Sequence, residues 1–289
     1  MPRDLHDVIV VGLGAMGAAT VYQLAKRGVD VVGIDRHNPP HDFGSTHGGT
    51  RITREAIGEG AHYVPLARRS HEIWRAIERE TGAELFTANG ALMLTGPASR
   101  ATTHVEGFFD NTIAAARAHN IAHELLDAAH IRARFPQFRV RDDETAYFEP
   151  GAGFVRPEAA VTAQLALAQK YGAKLHTNEI VTEVLQDADR VAVTTDKDVY
   201  EARNAVLAAG AWTPQFLPAG IAEQFRIYRQ VQFWFAPDNP AAYAPENFPI
   251  FIWNPPDRDQ PIYGFPDVDG AGFKIATEQY AQITTLDSY

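Results

Sequence analysis

The run Val8-Ile9-Val10-Val11-Gly12-Leu13-Gly14-Ala15-Met16-Gly17 constrains the fold of this chain more than any other stretch. Four β-branched residues predict a strand, and three glycines at G-x-G-x-x-G spacing predict a tight turn into a helix. In such a unit Gly12 makes the turn, Gly14 lets a pyrophosphate approach the backbone, and Gly17 lets the helix pack close on the strand. The phosphates then rest on exposed N–H groups of the first helical turn, where Met16 lies. The motif is short, so its context decides. Ala18 to Arg27 is helix-forming, Gly28 ends the helix, and Val31 to Ile34 reads as a second strand closing on Asp35, whose carboxylate can accept hydrogen bonds from a ribose diol. A βαβ dinucleotide-binding unit is therefore expected.

The 289 residues suffice for one large or two medium domains, and 45% apolar with 21% charged residues describes a globular chain. A net charge of -10 argues against nucleic acid or an anionic membrane as partner. Cysteine is absent, which excludes disulfides, thiolate metal sites and a cysteine nucleophile within these residues. Val8 to Tyr22 is too short to span a membrane, and no basic leader precedes it, so a cytoplasmic location is expected. His119 and His123 sit four apart across a helix-to-strand turn and do not share a face, so no metal site is expected.

Residues 36–51 are rich in turn formers and form a long loop, usually a functional feature inside a compact domain. Ser45, Thr46 and Thr50 offer hydroxyls there, and Arg51 and Arg54 would share a face if residues 51–57 are helical. Tyr63 to Glu80 has helical periodicity, Phe86 to Leu94 reads as a strand broken at Asn89-Gly90, and Ala98 to His119 reads as a helix. Residues 135–153 read as irregular, and Pro157 opens a helix to Tyr171. Strands are expected at Lys174 to His176, Ile180 to Leu185, Val191 to Thr195 and Val199 to Ala202, then an apolar parallel strand at Ala205 to Gly210. Past Trp212 the aromatic, β-branched runs 229–235, 250–253, 262–265 and 272–275 predict an antiparallel wall. The expected class is α/β, with an α+β second domain. A discontinuous nucleotide domain (1–85 and 150–215) is joined to a substrate domain (86–149 and 216–289).

With these stretches in hand the chain resembles the monomeric sarcosine oxidase and N-methyltryptophan oxidase family, flavoproteins of the glycine oxidase and D-amino-acid oxidase superfamily. The matches are G-x-G-x-x-G with Asp35, Pro39-Pro40-His41, Gly44-Ser45-Thr46-His47-Gly48 with Thr50-Arg51 and Arg54, Gly58-Glu59-Gly60, Tyr63-Val64-Pro65-Leu66, Gly210-Ala211-Trp212, Tyr228-Arg229-Gln230-Val231, and Tyr263-Gly264-Phe265-Pro266 followed by Lys274. The resemblance implies FAD and oxidation of a secondary amine, such as an N-methyl amino acid, to an imine with O2 reduced to hydrogen peroxide. It implies a monomer. It places Arg51 and His47 beside the flavin, Arg54 on the substrate carboxylate, Tyr263 in the substrate pocket, and Lys274 near flavin N5. The implied cofactor set is Gly12, Gly14, Met16, Gly17, Asp35, Arg36, Ser45, Thr50, Arg51, Gly210, Trp212 and, through its backbone, Val181.

Elementary chemistry agrees with those roles. Deprotonating a secondary amine of pKa on the order of 10 at neutral pH costs about 4 kcal/mol, and only the neutral amine gives up a hydride. Positive groups such as Arg51 and Lys274 disfavour the ammonium and stabilise developing negative charge. Two departures stand out. Glu278 occupies a position where family members often carry histidine, which favours a substrate bearing a cation or hydroxyl. The family also continues past Leu286-Asp287-Ser288-Tyr289 with the cysteine that bonds covalently to flavin, so an incomplete member lacking the C-terminal part, with FAD held non-covalently, is expected. Two other readings stay open: a non-catalytic flavoprotein fragment, and an NAD-dependent dehydrogenase, which the βαβ unit alone allows.

Overall fold

In the computed structural model, residues 4–101 and 105–286 are described. β1 (Leu5–Val11), α1 (Ala15–Ala25) and β2 (Val31–Ile34) form the βαβ unit, with the strands parallel and Val8 opposite Val31. Helix α1 starts at Ala15, earlier than periodicity predicts, because Gly14 is its N-cap. The chain then runs through β3 (Arg51–Thr53), α2 (Val64–Thr81), β4 (Phe86–Thr87), β5 (Ala91–Thr95), α3 (Phe108–Ala118), β6 (Glu124–Asp127) and α4 (Ala128–Arg134). Next come β7 (Thr145–Glu149), β8 (Gly153–Val155), α5 (Pro157–Lys170), β9 (Lys174–His176), β10 (Val181–Gln186), β11 (Val191–Thr195) and β12 (Val199–Leu207). The short α6 (Ala219–Ala222) precedes β13 (Gln232–Phe235), β14 (Ile250–Trp253), β15 (Ile262–Asp267) and β16 (Phe273–Thr277).

Three sheets organise these elements. A six-stranded sheet of order β10-β11-β12-β1-β2-β9 carries the nucleotide unit, and a seven-stranded sheet of order β13-β16-β15-β14-β5-β7-β6 forms the wall. A three-stranded sheet, β3-β8-β4, lies between them in sequence. On one side of the first sheet α1 packs against α5, burying Val21, Tyr22, Val161 and Ala168 with Val10 and Val31. Strand β1 is flanked on both sides by parallel neighbours, which is why Ile9 and Val10 are fully buried. Among the described residues no helix is long and apolar enough to cross a membrane.

Several expectations are corrected. Residues 51–53 pair with β8 as a strand, so Arg51 and Arg54 do not share a helical face; β-branched Ile52 and Thr53 suit the sheet better. The helix expected over 98–119 is confined to Phe108–Ala118, and residues 102–104 of that stretch lie outside the described residues. The 135–153 segment holds β7, whose Ala146 and Phe148 turn toward one core and Tyr147 toward another. Strands expected at 199–202 and 205–210 are one strand, β12, because nothing in Arg203-Asn204 breaks the chain. Phe86 to Leu94 divides between two sheets at Gly90, whose φ is +86°. The wall is antiparallel except where β14 runs parallel to β5.

The wall is tied to β3 by a buried carboxylate. Glu149, with no exposed surface, accepts hydrogen bonds from the amides of Glu55 (2.7 Å) and Ala56 (3.2 Å) and from the Tyr147 hydroxyl (2.8 Å). Burial first, then the Glu149 charge, push the Tyr147 phenol up, keeping it a donor. Glu149→Gln turns one acceptor oxygen into a donor facing donors. It is expected to cost about 2 kcal/mol, read as a lower urea midpoint with unchanged slope.

Candidate active site

A cleft of about 680 Å³ opens at the carboxyl ends of β1, β2 and β12, where nucleotides bind in parallel sheets. Its floor is Gly12, Gly14 and Ala15, one wall is Asp35 to His37, and the other is Ala208 to Trp212. The three glycines of the opening motif have different reasons to be glycine. Gly12 has φ +92°, and a Cβ there would lie 2.5 Å from the Ala208 carbonyl oxygen. On Gly17 a Cβ would lie 1.7 Å from the Gly12 carbonyl oxygen. Gly14 differs: the nearest atom to its Cβ would be Thr46 Oγ1 at 3.4 Å, an ordinary contact. Protein packing does not demand glycine there, whereas close approach of a pyrophosphate does. The Ala15 amide donates to Thr46 Oγ1 (3.2 Å), so an oxygen already sits at the positive helix end.

Asp35 closes one wall of the cleft. Its Oδ2 accepts from the Leu13 amide (2.7 Å) and its Oδ1 from the His37 amide (2.8 Å), which fixes the carboxylate at the cleft wall with lone pairs left over. His41 Nε2 stands 3.8 Å from Oδ1. Arg36 lies over the Trp212 ring at 5.2 Å. Burial, followed by the His41 charge, holds the His37 imidazole below its usual range.

At the edge of the cleft two cations meet. Arg51, on β3, donates from Nη1 to the Thr50 carbonyl (2.8 Å) and from Nη2 to the Ser45 carbonyl (2.5 Å). Lys274, on β16, is 2% exposed, and its Nζ donates to the carbonyls of Gly48 (2.8 Å) and Thr50 (3.1 Å). The Phe265 ring lies 4.1 Å and the Trp234 ring 5.6 Å from that nitrogen. Burial, reinforced by the Arg51 charge, brings Lys274 down to about 7. It can therefore take or release a proton near neutrality. Tyr263, on β15, bonds to the Gln232 side chain, and burial raises its hydroxyl.

Of the residues that the sequence nominates, Gly12, Gly14, Met16, Asp35, Arg36, Ser45, Arg51, Val181, Gly210 and Trp212 line the cleft. Gly17 packs beneath it, and Thr50 is buried and contributes its carbonyl to Lys274 and Arg51. His47 is exposed and absent from the lining, because the turn at Gly48 (φ +99°) directs the carbonyl, not the imidazole, inward. Arg54 lies outside the cleft, its Nη2 bonded to Glu59 (2.5 Å) and its guanidinium over Phe108. Tyr263 and Lys274 belong to the wall, and Glu278 directly follows β16. Missed by sequence reasoning were Gln232, whose Oε1 would come within 2.7 Å of a Gly48 Cβ, and Glu158, which accepts from the Gly49 amide (3.0 Å) and faces Arg51 and Lys274. Ile180, directly before β10, and Phe216, at the end of the turn 210–216, also line the cleft and were missed, since an apolar residue there carries no distinctive signal.

A βαβ unit with this cleft and an attached antiparallel wall defines a dinucleotide-dependent oxidoreductase. The family described as DAO, FAD dependent oxidoreductase, matches residues 7–287, and the chain belongs to it. It is 42% identical over 274 residues to a monomeric sarcosine oxidase of Streptomyces avermitilis, covering 94% of this chain and 69% of that one. Identity to an Escherichia coli N-methyl-L-tryptophan oxidase is 36% over 280 residues, covering 96% and 72%. Among solved structures, the open form of NikD, an unusual amino acid oxidase essential for nikkomycin biosynthesis, superposes with a TM-score of 0.75 at 26% identity, covering 99% of this chain and 72% of that one. The protein is thus an FAD-dependent oxidoreductase of the sarcosine oxidase and N-methyltryptophan oxidase type. The dehydrogenase reading based on NAD is set aside. The residues fit FAD: Gly14 leaves the approach open, Asp35 is fixed at the cleft wall where a ribose diol could bond it, and the cleft continues to Arg51.

Proposed function

We propose that this chain oxidises a secondary amine, an N-methyl or related N-alkyl amino acid, to an imine while O2 becomes hydrogen peroxide. The observation that carries this reading is the burial of Lys274 against two carbonyls beside Arg51, at the edge of the FAD cleft. Bound FAD would supply the acceptor for a hydride from the amine carbon and the route for its electrons to O2. The chain's own residues prepare the partners. Arg51 and Lys274 supply positive potential that lowers the cost of the neutral amine and favours negative charge forming nearby. Lys274, poised near neutrality, can hold a proton at Nζ or release it. Arg54 would bind the substrate carboxylate through its Nε, a buried donor without a partner among the described residues. Tyr263 would shape the pocket from the wall and Glu278 from just past it. His47 would act from the rim of the loop.

FAD held by these residues alone would be non-covalent, since they include no cysteine. The cleft-bearing segments 1–85 and 150–215 would act as the nucleotide domain and the remainder as the substrate domain, in a cytoplasmic monomer. Asp35→Asn would place an amide nitrogen against one of two backbone donors, and FAD affinity is expected to fall about tenfold or more by fluorescence titration. The reaction itself is tested with a panel of N-methyl amino acids and no nicotinamide. Oxygen uptake matched by peroxide is expected, and turnover that requires added nicotinamide would sink the proposal.

A further inference from the structure

On the wall, residues of β13, β15 and β16 in register share a face. Tyr263 stands opposite Ala276, Phe265 opposite Lys274, and Gln232 and Trp234 opposite Ala276 and Lys274 from the other side. Lys274 and Ala276 share one row of β16, and Glu278, directly after the strand's last residue, lies near enough for its charge to act on the Tyr263 hydroxyl. From the cation at Lys274 to the carboxylate at Glu278 is a span of about 13 Å over four residues.

The carboxylate end is built rather than frayed. The segment 227–230 lies antiparallel to 279–284: Tyr228 pairs with Ile283, the Arg229 amide donates to Gln282, and the Thr284 amide donates to Ile227. The Gln230 side chain donates to the Gln279 carbonyl and accepts from the Gln279 amide. This pairing sets one tyrosine on the acid and packs a second against the first. The Tyr280 hydroxyl donates to Glu278 Oε2 (3.2 Å), and the Tyr228 ring meets the Tyr280 ring edge-on at 5.3 Å and 82°. A carboxylate bonded to one tyrosine of a packed tyrosine pair can receive an organic cation, which gains both charge pairing and attraction to a ring face.

We propose that Glu278, Tyr228 and Tyr280 form a subsite for a positive charge on the substrate's side chain, so that the preferred amine is an N-alkyl amino acid bearing a second, distal cation. The inference rests on the secondary-amine reading above. Lys274 with Arg51 repels a cation at one end of this span, and Glu278 attracts one at the other. A dibasic substrate is thereby bound in a single direction, its reacting amine toward the cleft.

The test compares Nα-methyl-lysine with Nα-methyl-norleucine, which has the same four side-chain carbons without the ammonium. Oxygen uptake and anaerobic calorimetric binding are measured for the FAD-loaded protein, for Glu278→Gln and for Glu278→Lys, each checked for bound flavin and a native circular dichroism spectrum. The wild type is expected to favour the lysine derivative by about tenfold or more in kcat/KM, mostly through KM. Glu278→Gln should bring the two substrates to near parity, and Glu278→Lys should shift preference toward Nα-methyl-glutamate. Equal handling of both compounds by the wild type, or a preference that survives both substitutions, overturns the inference. If neither compound is oxidised, the secondary-amine reading fails, and calorimetry still judges the subsite: tighter lysine-derivative binding upholds it and equal affinity overturns it.

Discussion

Gly17→Ala is expected to destabilise the chain by more than about 4 kcal/mol, whereas Gly14→Val leaves stability within about 1 kcal/mol and removes FAD binding. The difference follows from what a Cβ meets at each position. On Gly17 it would lie 1.7 Å from the Gly12 carbonyl oxygen, a backbone atom that cannot swing away. Helix α1 would have to lift off β1, undoing the burial of Ala18, Val21 and Tyr22 in the core under α5. On Gly14 the added Cβ meets only the Thr46 hydroxyl at 3.4 Å, and the φ of -67° suits an ordinary residue. A valine there points into the cleft where the pyrophosphate would pass. Urea unfolding separates the two variants, and FAD titration should show at least a hundredfold loss for Gly14→Val. Full FAD affinity in that variant would mean that the cofactor does not use this helix end.

Lys274→Met is expected to make the protein more stable at pH 6 and far less reactive. In the folded chain burial and the Arg51 charge bring the ammonium's pKa down to about 7 from its ordinary 10.5. Below pH 7 both folded and unfolded lysines are protonated, and the folded state carries the whole penalty of the buried charge, on the order of 5 kcal/mol from burial and the Arg51 charge. Between pH 7 and 10.5 the unfolded chain holds more protons, so wild-type stability rises with pH and the penalty fades. The carbonyls of Gly48 and Thr50 lose a donor in the variant, which offsets part of the gain. The advantage of Lys274→Met in thermal midpoint should therefore shrink steadily from pH 6 to pH 10. Reoxidation of reduced flavin by O2, followed by stopped flow, should slow by about a hundredfold, equivalent to about 3 kcal/mol. A gap in midpoint that does not vary with pH would contradict the buried, proton-releasing lysine.

Much of this was legible in the residues because it depends on local chemistry. The βαβ unit needs β-branched residues, three spaced glycines and an acid at a strand end, and all are contiguous between Val8 and Asp35. Lys274 and Arg51 were nominated through family order rather than from spacing, since 223 residues separate them in the chain and only the packing of β16 against the 45–50 loop brings them together. Residues 51–57 misled because two arginines three apart fit a helix, while the pairing of β3 with β8 overrode that local signal. The boundary of α3 and the existence of β7 were hidden for the same reason: Thr145–Glu149 has no distinctive pattern until β5 and β6 flank it. Glu149 gave no signal at all, because a fully buried glutamate is recognisable only through the amides it satisfies. His47 is exposed, next to the turn at Gly48 whose carbonyl faces Lys274.

The most direct measurement is anaerobic flavin reduction. The purified chain is loaded with FAD, passed through a desalting column, and mixed without oxygen with Nα-methyl amino acids while the visible flavin absorbance is followed. Retained yellow colour, bleaching by the secondary amine and recovery on admitting air with one peroxide per amine oxidised are expected. Flavin that stays bound and is never bleached by any secondary amine would contradict the account.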